Sequence, residues 1–180
     1  MKKKELDIEF RSKWFAAQEL GVDLKLKGDE NILYLGASSG TTVSELSKLT
    51  SGIIFAVENS SEMAIPLVRL AEKVKNIAPI FCDARNTDFI KESLKNTKIN
   101  ILFQDIPARD QIEILVKNSL LIDKDCKILF SLKTASISQE EAGKTAQNVK
   151  EKLQKEFKVL EIKNLEKYHK KHFFFLLGKK

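Results

Sequence analysis

The run Ile32-Leu33-Tyr34-Leu35-Gly36-Ala37-Ser38-Ser39-Gly40-Thr41-Thr42-Val43 decides the fold. Its apolar start is of strand length, the middle is a turn of small residues, and Val43, Leu46 and Leu49 then recur at helical spacing. A strand that enters a helix through a glycine turn lets the backbone come close to a ligand. It also aims the free N–H groups of the first helical turn at that ligand. Gly36, Ala37 and Gly40 are therefore candidate ligand contacts.

Working outward, further apolar runs of strand length fall at residues 52–57, 77–81, 99–103 and 127–132. Segments of helical spacing separate them, such as Met63, Leu67, Leu70, Ala71 and Val74, or Ile112, Leu115, Val116 and Leu120. Alternating strands and helices with short crossovers build a parallel sheet covered on both faces. After a helix over residues 139–156, strands are expected at 157–163 and 172–177, separated by about eight residues. That gap is too short for a crossover helix, so these two strands should be antiparallel neighbours. The expected fold class is thus α/β, a Rossmann-like, seven-stranded, mostly parallel sheet with its last strand reversed, which is the class I methyltransferase outline. Leu6, Phe10, Trp14, Ala17 and Leu20 predict a helix over residues 5–20 packed on the sheet edge.

Ligands of open α/β sheets sit at the carboxyl ends of the strands. Glu58 ends the second strand 22 residues after Gly36, where a carboxylate accepts both ribose hydroxyls of an adenosine ligand. Asp83, in Phe81-Cys82-Asp83-Ala84 at the third strand end, is placed to receive a donor such as an adenine amino group. Both features suit an adenosine cofactor, whether methionine-linked or a dinucleotide. The turn has Gly36 and Gly40 but lacks the third glycine of a dinucleotide fingerprint, which disfavours a nicotinamide oxidoreductase.

The fourth strand runs into Asp105, the fifth into Lys133, and the last opens with His172. A lysine ending an apolar strand either pairs with Asp105 and stays charged, or has its proton affinity lowered by burial and a second cation. Such a pair suits methyl transfer to a ribose hydroxyl, where lysine takes the proton or stabilises the alkoxide while the carboxylate orients it. No metal site is expected, because His169 and His172 are the only histidines and lack an acidic cluster.

At 180 residues and 43% apolar composition, the chain is expected to fold as one domain spanning residues 1–180. Its longest apolar runs fall far short of the ~20 residues of a membrane span, and Met1-Lys2-Lys3-Lys4 precedes no signal-peptide core, so a soluble intracellular protein is expected. Cys82 and Cys126 read as buried thiols. The net charge of +6, with lysines at residues 2–4 and again at 163, 167, 170, 171, 179 and 180, fits a polyanionic partner or simply a solvated surface.

Several of these segments, in this order, resemble the fibrillarin family. The strand–turn–helix run, extended to Ser44, is similar to that family's signature, and Arg11-Ser12-Lys13 looks like its helix-entry motif. Asp83-Ala84-Arg85, Asp105, Leu132-Lys133-Thr134-Ala135-Ser136-Ile137 and the basic loop ending in His172 match as well.

The resemblance implies a Lys-Asp-Lys-His set at Lys13, Asp105, Lys133 and His172 for guided ribose methylation of rRNA or tRNA. It implies S-adenosylmethionine contacts at Thr41, Thr42, Glu58, Asn59, Asp83, Ala84 and the 105–108 loop, including Ile106 and Ala108. Expected partners are a guide RNA, a target RNA and a Nop-domain scaffold protein, with a kink-turn-binding protein acting indirectly. The expected location is the cytoplasm, or the nucleolus in a eukaryotic source.

The chain departs from the family pattern in its Asp105 loop, where Ala108 stands in place of a cofactor-contacting glutamine. The helix expected a few residues after Met1 also leaves no room for the family's usual N-terminal β-rich extension. These departures leave two alternatives, a stand-alone RNA methyltransferase that needs no guide and a non-catalytic assembly subunit.

Overall fold

The structure, a computed structural model, describes residues 12–180. Its strands are β1 (Ile32–Leu35), β2 (Ile54–Glu58), β3 (Ile77–Phe81), β4 (Ile101–Gln104), β5 (Lys127–Lys133), β6 (Phe157–Asn164) and β7 (His172–Lys179). Its helices are α1 (Lys13–Glu19), α2 (Thr41–Leu46), α3 (Ser61–Lys73), α4 (Thr87–Leu94), α5 (Gln111–Ser119) and α6 (Ala142–Glu156). The strands form a seven-stranded sheet in the order β3-β2-β1-β4-β5-β7-β6. The first five are parallel, while β7 runs antiparallel to both β5 and β6. The expected fold class holds, and β7 inserts between β5 and β6 rather than joining the edge.

Period-two alternation divides each strand between two cores. Leu33, Leu35, Leu102, Ile128, Phe130 and Phe175 form one with Ile90 of α4, Leu115 of α5 and Leu153 of α6. Ile32, Tyr34, Phe103, Leu129 and Phe174 form the other with Trp14 of α1, Val43 of α2 and Leu67 of α3. Buried on both faces, the central strands are continuous apolar runs, the expected pattern for parallel β-structure. Pro79, which has no N–H to donate, is tolerated because β3 is an edge strand.

Two expectations need correction. The described part of the N-terminal helix packs on a face of the sheet and not on its edge. The Trp14 ring lies 6.4 Å from that of Phe174, on a strand flanked by neighbours on both sides. Leu6 and Phe10 of that expected helix lie outside the described residues. Cys126 is buried, and burial pushes its thiol up to about 12, but Cys82 is only half-buried. Among the described residues no helix is long and apolar enough to cross a membrane.

Candidate active site

Strand order reverses direction at β1, whose neighbours β2 and β4 lead to opposite halves of the sheet. At such a switch point the loops leaving adjacent strands diverge and open a crevice. A cavity of about 410 Å³ lies there, a size ordinary for a small-molecule site. Its lining includes Lys13, Gly36, Glu58, Asn59, Asp83, Ala84, Asp105, Ile106, Lys133 and His172. The four residues of the expected Lys-Asp-Lys-His set thus come from α1, the loop after β4, β5 and β7 to one space.

At the β2 end, Glu58 is nearly buried, and its carboxylate organises the turn around it. Ser38 N donates to Oε2 at 2.6 Å, while Asn59 N and Ser60 N donate to Oε1 at 3.0 and 2.7 Å. A carboxylate offers about four acceptor positions, so capacity remains for a ligand hydroxyl. Gly36 has φ +86°, and a Cβ there would lie 2.5 Å from the Asp105 carbonyl oxygen. Only glycine lets the β1 turn and the loop after β4 approach so closely.

The other end of the cavity carries the charge. Lys13 Nζ donates to Asp105 Oδ2 at 2.6 Å, with both groups mostly shielded from solvent. Pairing with Lys133 was one of the two arrangements expected of this acid; its ion-pair partner is Lys13. Among the described residues no carboxylate lies within ion-pairing distance of the Lys133 ammonium. Gln111, wholly buried, bridges the loop to β5, its side chain donating to the carbonyls of Ala108 at 2.8 Å and Lys133 at 3.4 Å.

His172 sits opposite Lys133 in the β5–β7 register. Its Nδ1 lies 2.7 Å from the Lys170 carbonyl oxygen. A carbonyl can only accept, so Nδ1 carries the proton in the neutral ring and Nε2 keeps a lone pair. Burial lowers the proton affinity of His172 below the usual histidine value; Lys13 and Lys133 add to this, while the Lys170 carbonyl and Asp105 oppose it. The second histidine, His169, has its ring 5.9 Å from that of His172 and is likewise shifted down, first by burial and then by Lys13. A main-chain tie holds the pairing in place, with Thr134 N and Oγ1 both donating to the Lys171 carbonyl at 3.0 Å.

Some expected contacts lie off the cavity wall. Ala37 is packed in the core, and Thr41 and Thr42 begin α2 behind the turn. A Cβ on Gly40, at φ +87°, would lie 2.5 Å from Leu70 Cδ2, so that glycine serves packing against α3. Ala108 packs against the core and likewise does not line the cavity. Pro107, within the expected 105–108 loop, lines the cavity, and Ser38, Val57, Cys82, Arg85 and Ile114 line it without having been singled out as contacts. For Ser38, Val57, Cys82 and Arg85, position beside a strand-end acid or turn was the available signal. Two of the C-terminal lysines have structural roles. Lys179 donates to the carbonyls of Ser119, at the end of α5, and Ile122, and Lys180 to that of Lys155.

The strand order and the crevice at its switch point define a class I methyltransferase fold. The family model for fibrillarin matches residues 5–180, and the chain belongs to the fibrillarin family. The fibrillarin-like rRNA/tRNA 2′-O-methyltransferase of Archaeoglobus fulgidus is 36% identical over 170 residues, covering 93% of this chain and 80% of the relative. Fibrillarin in a crystal structure of a fibrillarin/Nop5p complex superposes with a TM-score of 0.90 at 33% identity, covering 96% of this chain and 83% of that one. Aeropyrum pernix fibrillarin, solved with natively bound S-adenosyl-L-methionine, shares the fold with a TM-score of 0.79 at 24% identity, covering 95% of this chain and 76% of that one.

Proposed function

We propose that this chain is an S-adenosylmethionine-dependent RNA ribose 2′-O-methyltransferase, working as the catalytic subunit of a guide-RNA particle on a Nop-domain scaffold. The observation that carries the reading is the convergence of Lys13, Asp105, Lys133 and His172 on the cavity that also holds Glu58 and Asp83. Membership of the fibrillarin family, and the activity in the name of the Archaeoglobus fulgidus relative, support it. The fibrillarin/Nop5p complex supports the scaffold partner.

The acceptors fit an adenosyl ligand: Glu58 faces ribose hydroxyls and Asp83 an exocyclic amine, while the close approach at Gly36 forms the floor. S-adenosylmethionine supplies an electrophilic methyl group on a sulfonium that leaves as a neutral thioether. Because that transfer needs mainly alignment, the protein's tasks are positioning and handling the proton. His172 Nε2 receives the proton of the ribose 2′-hydroxyl, its ring held by the Lys170 carbonyl. The Lys133 ammonium stabilises the negative charge that develops on the oxygen. Lys13 and Asp105 fix the loop beside them. Lys170 and Lys171, exposed next to His172, contact RNA phosphates, which position the strand without reading its sequence.

The test is transfer of labelled methyl from S-adenosylmethionine to RNA, with and without a reconstituted guide particle, against a target with one 2′-deoxy substitution. Transfer that requires both the particle and the hydroxyl is expected. Transfer without the particle would make the enzyme stand-alone. No transfer in an assembled particle would make the chain a non-catalytic subunit.

A further inference from the structure

Asp110 occupies the N-cap of α5, where an aspartate normally accepts a hydrogen bond from the first helical turn, yet its side chain makes no capping bond. It is directed to Arg85 instead. Arg85 Nε donates to Asp110 Oδ2 at 2.8 Å, and Nη2 donates to Oδ1 at 2.7 Å. The other amino group, Nη1, donates to Asp83 Oδ1 at 3.0 Å and Oδ2 at 2.9 Å. One planar guanidinium therefore bridges the β3 end and the start of α5, a geometry that a point-charge ammonium does not reproduce.

Asp83 and Arg85 line the cavity, and Asp110 closes the loop whose Ile106 and Pro107 form another wall. That loop is anchored at its first residue by Lys13–Asp105 and at its last by Arg85–Asp110. The Arg85 pairs are substantially exposed, with relative side-chain exposure of 47% for Arg85 and 43% and 35% for its partners. Pairs this exposed contribute little to folding, so their consequence is local geometry.

We propose that Arg85 is a positioning residue that sets recognition of the ligand's adenine end, by holding Asp83 in one rotamer and tying the 105–110 loop across the pocket. This rests on the adenosyl-ligand reading given above. Asp83 Oδ1 also accepts from the Arg85 backbone N–H at 2.8 Å, which leaves the carboxylate acceptor capacity for an exocyclic amine, and the guanidinium on both oxygens fixes where that capacity points. The side chain of Ala108 lies off the wall, and its carbonyl accepts from Gln111, so the Arg85–Asp110 pair and Gln111 together hold the far half of the loop.

The test measures binding of S-adenosylhomocysteine, and of the inosine counterpart in which an oxo group replaces the amine, to full-length wild type, R85A, R85K and D110N, alongside thermal unfolding. R85A is expected to weaken S-adenosylhomocysteine by about tenfold while barely moving the inosine counterpart, so that base discrimination collapses. R85K and D110N should fall between wild type and R85A, with unfolding temperatures close to wild type. Equal weakening of both ligands with a lowered unfolding temperature would make Arg85 merely structural and overturn the proposal. Wild-type binding that R85A leaves untouched overturns this role alone. A wild type that binds neither ligand overturns the cofactor reading along with it.

Discussion

Lys133 and His172 are directly paired residues of the antiparallel β5–β7 ladder. Opposed residues put their side chains on the same face of a sheet with Cβ atoms about 4.5–5.5 Å apart. The ladder therefore places a cation beside the imidazole, and Lys13 reaches the same space from α1 to hold Asp105. The proposed proton acceptor, His172, and the proposed charge stabiliser, Lys133, are thus coupled through backbone register, and experiment can separate them.

Replacing Lys133 with alanine should lower the single-turnover rate of methyl transfer by about 10²-fold or more, the range for removing one transition-state charge stabiliser. Cofactor affinity should stay within about twofold, because the proposed acceptors for the adenosyl group, Glu58 and Asp83, lie at the ends of β2 and β3. Rapid-quench kinetics with equilibrium binding separates the two, and parallel loss of rate and affinity would make Lys133 structural.

The pH profile of transfer follows from His172. Its proton affinity is lowered by burial first, with Lys13 and Lys133 adding to this against the Lys170 carbonyl and Asp105. The rate should rise with pH through a limb below 6.5, the ordinary histidine value, and level off once the ring is neutral. Removing a neighbouring cation, as in K133A, should move that limb upward. A limb that survives unchanged in H172Q would mean another group takes the proton.

Both histidines bind a proton more weakly in the folded chain than in the unfolded one. Their contribution to stability is therefore present above pH 6.5 and lost as pH falls through the lower folded values. Urea melts across that interval should show a slope that flattens in the H169Q/H172Q double variant. An unaltered slope would contradict the assignment.

Glu58→Ala removes the acceptor of three backbone donors, Ser38, Asn59 and Ser60, along with the proposed ligand contact. Each of these part-buried hydrogen bonds contributes about 0.5–1.5 kcal/mol, so denaturation should register their joint loss. S-adenosylhomocysteine should bind at least about tenfold more weakly. Unchanged affinity would remove Glu58 from the cofactor site.

Gly36→Ala should be costly in two ways. The backbone there has φ +86°, and the new methyl would meet the Asp105 carbonyl oxygen. The left-handed conformation alone disfavours alanine by about 1–2 kcal/mol. Displacement of Asp105 should also loosen its pair with Lys13, so activity should fall by more than the loss of folded protein explains. A normal rate per folded molecule would show that the loop tolerates the shift.

Most of the scaffold was legible along the chain because its signals are local. Strands buried on both faces leave uninterrupted apolar runs, helices leave their own spacing, and the short link between residues 164 and 172 excludes a crossover. Glu58, Asp83, Asp105, Lys133 and His172 could be picked out because each follows or opens an apolar strand, and such ends gather at one edge of a parallel sheet. The family motifs added Lys13, which no local pattern marks.

Only the tertiary structure decided which of these groups meet. Asp105 pairs with Lys13, 92 residues away, and not with Lys133. His172 faces Lys133 because β7 inserts between β5 and β6. Gly40 serves Leu70, and Arg85 joins Asp83 to Asp110. Spacing along a chain specifies a residue's face and element, whereas partners across the fold depend on strand order and helix docking, which are set by the packing of the whole core.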